Sequence, residues 1–108
     1  MAEDLIEEIG AKSAMLDAAV RQTGIRGRIR AQAEYDYRVA MRKKILEERA
    51  NGTPVTIISD LCRGSPEIAK LRMERDIAQT MYESAQEAIQ VYKLQIRILD
   101  AQIGREWK

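Results

Sequence analysis

Apolar residues recur along most of this chain at intervals of three and four, the spacing that gathers side chains on one helix face. The pattern runs longest after Pro66. Ile68, Leu71, Ala78, Tyr82, Ala85, Ile89, Tyr92, Ile96, Leu99 and Ile103 form a heptad seam, with Arg75 as its one charged interruption. No Gly or Pro interrupts the segment, so a helix is predicted over 66–103. At 1.5 Å per residue it would extend about 57 Å, whereas a compact 100-residue domain has a radius of gyration near 13 Å. The seam is therefore expected to outrun the core of its own chain.

Upstream, Leu5, Ile6, Ile9, Leu16, Ala19 and Val20 mark an N-terminal helix over 3–22. Gly24 and Gly27 bracket a junction, and Tyr35, Val39 and Leu46 stripe a helix over 30–50 that Gly52 would cap. Thr53-Pro54 opens a short helix over 54–62, through Val55, Ile57, Ile58 and Leu61, and Ser65-Pro66 opens the long one. The predicted fold is all-α, a single domain over 1–108. Its centre is a long helical hairpin, 30–50 against 66–103, joined by the short helix and preceded by the N-terminal one.

The helix over 30–50 can cover only about half of its partner, and a second stripe, Ile77, Met81, Ala88, Val91 and Ile98, lies on another side. A homo-oligomer is expected, with Ile89, Tyr92, Ile96, Leu99 and Ile103 as its seam. The alternative is a monomeric bundle with the first two helices end to end along the long one. Arg75 needs a counter-ion in either case, since an isolated buried charge costs several kcal/mol. Asp36, Asp60 or a carboxylate of another subunit is expected to supply it.

Composition narrows the chemistry. The 108 residues contain no His and one cysteine, Cys62. That removes the side chain that titrates near neutrality, most zinc and haem ligation, any intrachain disulfide, and the usual activator of a thiol nucleophile. The expectation is a binding protein, not an enzyme, with no cofactor and no metal. The longest stretch without a charge, Ala50–Ser59, is ten residues, against the ~18 of a membrane span. The acidic N-terminal sequence does not read as a signal peptide. A cytoplasmic location away from membranes is expected.

Charge nearly cancels, 18 basic against 17 acidic groups, but unevenly. Residues 1–20 sum to −4 and residues 21–44 to +6. RQTGIRGRIR gathers Arg21, Arg26, Arg28 and Arg30, of which Arg26 and Arg28 lack helical i,i+4 carboxylate partners, and two glycines allow backbone N–H groups to converge on an anion. Tyr35 and Tyr37 follow, so a base could stack beside a bound phosphate. These six residues are the candidate site, for a nucleotide or a nucleic acid. The competing interpretation is a solvated junction that pairs with the acidic N-terminal helix. Residues 56–64 and 65–72 also have the outline of a helix-turn-helix, but few base-reading side chains open the second helix, and a hairpin cap suits them better. Gly10-Ala11-Lys12-Ser13 lacks the upstream glycine of a phosphate loop.

EYDYRVA at 34–40, GTPVTIISDLCRG at 52–64 and RDIAQTMYESA at 75–85 together resemble small helical proteins encoded by phages and prophages of Gram-positive bacteria, over residues 30–107. The resemblance implies a viral accessory protein working in the host cytoplasm by stoichiometric binding. Such proteins inhibit CRISPR systems or other host defence proteins, act as sponges for signalling nucleotides, or modulate replication proteins. A nucleic-acid-binding factor in replication, recombination or packaging, or a purely structural helical adaptor, is the alternative. No site residue carries over from the resemblance.

Overall fold

The computed structural model describes residues 2–107. Three helices follow one another, α1 Ala2–Ala50, α2 Val55–Gly64 and α3 Pro66–Glu106, and among the described residues there is no strand. The all-α hairpin is as expected, with one correction. The separate helices over 3–22 and 30–50 are a single helix, and the junction between them does not exist. The energetics favour continuity. Gly24 and Gly27 each cost about 1 kcal/mol in a helix interior, whereas a break would strand up to four N–H and four C=O groups at new helix ends. No proline forces such a break, and Thr23 Oγ1 folds back to donate to the Ala19 carbonyl at 3.0 Å.

The reversal after α1 is a Schellman turn. Thr53 N–H donates to the Glu48 carbonyl at 3.0 Å and Gly52 N–H to the Arg49 carbonyl at 3.1 Å, with Gly52 at φ +80°. Thr53 does not cap α2. Its hydroxyl donates instead to Glu48 Oε2 at 2.6 Å, and Pro54 occupies the position before the first helical residue. Between α2 and α3, Ser65 closes one helix through its N–H and hydroxyl on the Cys62 carbonyl, while its own carbonyl accepts from Ala69 N–H.

The chain divides into two compact units. Unit 1 combines α1 up to Arg26 with α3 from Met81; unit 2 is residues 27–80. In unit 2, α2 buries Ile58 and Cys62, and α3 buries Ile68 and Ala78. This is the hairpin-cap role, because α3 then continues far past the length of a groove-reading helix. The α3 seam faces inward throughout, each predicted position being buried or half-buried. In unit 1 that includes Leu99, which is buried, and Ile89, Tyr92, Ile96 and Ile103, which are half-buried. The seam assigned to a second subunit is thus taken up within the chain, since an unbroken α1 supplies the helix that covers it.

On α1 the stripe expected over 30–50 is reversed. Tyr35, Val39 and Leu46 face outward, while Arg30, Ala33, Tyr37, Ala40 and Lys44 turn toward α3. Small Ala33 and Ala40 leave room for the larger α3 side chains, and the apolar stems of Arg30 and Lys44 cover apolar surface while their heads find polar partners.

Two glycines separate these effects experimentally. A Cβ on Gly24 would meet nothing within 4 Å, so Gly24→Ala should stabilise the protein by about 1 kcal/mol. Gly52 has room but a positive φ, so Gly52→Ala should destabilise by about 1–2 kcal/mol. Urea denaturation midpoints of the two variants should therefore move in opposite directions.

Candidate functional site

A continuous α1 turns successive residues by 100° and so decides where the six candidate residues point. In unit 2, Arg28 and Tyr35 share one face and Arg30 and Tyr37 another; in unit 1, Arg21 is exposed and Arg26 half-buried. The backbone amides of 21–30 lie inside a helix, so the anion-holding nest expected from Gly24 and Gly27 is not formed. Arg21 and Arg26 belong to unit 1 and the other four to unit 2.

The inward set is committed to the fold. Arg30 Nη1 donates to Gln79 Oε1 at 3.3 Å. Arg75 lies with its guanidinium carbon 4.5 Å from the centroid of the Tyr37 ring, Nε 3.5 Å from Glu34 Oε2, and Nη2 3.1 Å from Asp76 Oδ1. Arg75 is thus paired as expected, but by Glu34 and Asp76. Asp36 instead accepts from the Gln32 side chain, and Asp60 lies 3.7 Å from Arg63. Glu34 also holds Arg38 at 2.7 Å. Nearer the turn, Lys44 pairs with Glu67 at 3.3 Å, and the hydrogen bond and charge of that carboxylate raise the Lys44 pKa above its ordinary 10.5.

The outward set is free. In unit 2, Arg28 and Tyr35 lie on a row that recurs every seven residues and continues through Arg42 and Arg49, all exposed. Sequence reasoning missed the last two because it sought the cluster in a loop; the signal was the spacing 28, 35, 42, 49. None of the three arginines has an ion pair among the described residues, and Tyr35 is 63 % exposed. Val39 and Leu46, both half in solvent, alternate with them. Beside the row, Tyr37, Met41, Ile45 and Leu46 floor a concavity of about 460 Å³ edged by Arg38, Arg42 and Arg49. The face therefore offers forked cationic donors interleaved with aromatic and aliphatic surface.

Among the described residues, no three or more His, Cys, Asp or Glu side chains gather where a metal could bind, and Cys62 is buried. No helix of the described residues is long and apolar enough to cross a membrane. Comparison with protein-family models, with curated proteins and with solved structures finds no match to this chain.

Removing Arg75 should leave the Tyr37 ring without its cation and Glu34 with Arg38 alone. Arg75→Ala is expected to destabilise by about 1–3 kcal/mol in chemical denaturation. The Lys44–Glu67 contribution has its own signature. A raised Lys pKa means stabilisation that is complete below 10.5 and is lost as pH rises past it. Lys44→Met should therefore lower the melting temperature at pH 8 and flatten its decline in the alkaline range.

Proposed function

We propose that the chain is a non-enzymatic nucleic-acid-binding protein that takes a single strand along the outward face of α1 in unit 2. The observation that carries this is the exposed row Arg28, Tyr35, Arg42 and Arg49, interleaved with Val39 and Leu46, its arginines without an ion pair among the described residues. Neighbouring row positions stand about 10.5 Å apart along the helix, close to the rise of three stacked nucleotides at about 3.4 Å each. Arginines at this interval meet phosphates, while the exposed Tyr35 ring and the aliphatic side chains receive bases. This is the pairing of charge and stacking that single-strand binders use. An extended row suits a polymer better than one nucleotide. In the accessory setting implied by the sequence resemblance, such binding works by occupying a strand, with no catalytic step.

The row spans about 32 Å, or roughly nine nucleotides. Affinity for labelled oligothymidylates should therefore rise with length to about nine and then level off. Three phosphate contacts on a single strand give a slope of log K against log salt near −2, so binding should weaken about twentyfold between 50 and 200 mM salt. Arg42→Ala should lower the slope by about 0.7, and Tyr35→Ala should cost about 1–3 kcal/mol with the slope unchanged. Tight, salt-insensitive binding of a mononucleotide would instead support a nucleotide sponge. Oligonucleotide binding untouched by the triple Arg28, Arg42, Arg49 to Ala variant would refute the assignment.

A further inference from the structure

Among the described residues, unit 1 consists of segments from two helices. The buried apolar side chains among them are Ala19 and Leu99, while Met15, Met81, Val91, Leu94 and Ile98 remain 40–55 % exposed. Two helices of this size seldom enclose enough apolar surface to be stable alone. The whole chain exposes 7844 Å², whereas a folded monomer of 12.3 kDa is expected to expose about 6,100 Å². The excess, about 1,700 Å² over both units together, is more than the roughly 1,000 Å² that one partner of a permanent homodimer needs to bury, so the chain has surface enough for such an interface.

The exposed apolar surface of unit 1 also has a shape. A groove of about 400 Å³ runs between α1 and α3, its walls including Ala18, Ala19, Ser84, Ala85 and Ala88, with Met15 and Met81 lining it as well. These small side chains let a third helix approach closely, and the groove is largely apolar apart from Gln22, Arg26, Ser84 and the Tyr92 hydroxyl. Val91 and Ile98 continue the exposed side of α3 beyond it. Holes and knobs therefore lie on one surface. An interface repeated by a two-fold axis requires that arrangement, because the same patch must both receive and insert.

We propose that this groove is the contact surface of a homodimer, in which α3 of a second copy seats its Met81, Val91 and Ile98 edge across the Ala18–Ala88 groove. Of the internal seam of Ile89, Tyr92, Ile96, Leu99 and Ile103, the surface shares Tyr92 alone. It is also separate from the arginine row of unit 2, so dimerisation and strand binding can fail independently.

Sedimentation equilibrium on the full chain, over a range of micromolar concentrations, tests it. The expected mass is twice the 12.3 kDa of one chain, and Ala88→Glu should halve it while helical circular dichroism is retained. The triple arginine variant of unit 2 should remain dimeric. A monomer at every concentration overturns the proposal, as does a dimer that persists in a folded Ala88→Glu protein. Should Ala88→Glu fail to fold, Val91→Lys decides, since Val91 is 42 % exposed on the inserting edge. A folded Val91→Lys protein should be monomeric, and one that remains dimeric overturns the proposal.

Discussion

The structure depends on one unbroken ladder of backbone hydrogen bonds, the one that carries α1 across Gly24 and Gly27. A helix has a fixed angular step, so continuity holds the outward row of unit 2 in phase. In unit 1 the same helix covers the α3 seam, and the loop in which an anion nest would have formed is absent. The glycines weaken the ladder without interrupting it, because two unfavourable residues cost less than two new helix ends.

Within unit 2 the hairpin is aligned by polar contacts as much as by apolar ones. A seam of similar side chains tolerates a shift by one heptad, since apolar positions would again meet apolar ones. Such a shift of α1 would replace Glu34 opposite Arg75 with Gly27 or Met41. The guanidinium would lose its α1 carboxylate and its ring together, and an under-compensated charge in a part-buried seam is costly. Glu34, Tyr37 and Arg75 thereby fix the register, and Lys44 with Glu67 fixes it again near the turn.

The legibility of the fold in the sequence follows from this division. The α3 seam was readable throughout because its positions are almost all apolar, and Gly52 was readable because a left-handed turn residue after a helix has few substitutes. The phase of α1 beyond Arg30 was not readable. There the inward positions carry Arg30, Tyr37 and Lys44, while Val39 and Leu46 face out, so apolar residues mark the wrong side. The paired glycines read as a break because local propensity omits the cost of capping. The candidate site inherited that error. Tyr35 and Arg28 are exposed groups on one row, Arg30 and Tyr37 turn toward α3, and Arg42 and Arg49 emerge only once the helix is known to be continuous.

The cross-helix contacts of unit 2 nest around the Schellman turn. Lys44–Glu67 encloses the shortest stretch of chain, Glu34–Arg75 a longer one, and Arg30–Gln79 a separation of 49 residues. Closing a loop costs entropy that grows only slowly with its length, and each inner contact shortens the loop that the next must close. Loop entropy in such a topology favours zippering outward from Gly52, one contact after another. The glycine that ends α1 is therefore also the point from which the hairpin of unit 2 would begin to fold.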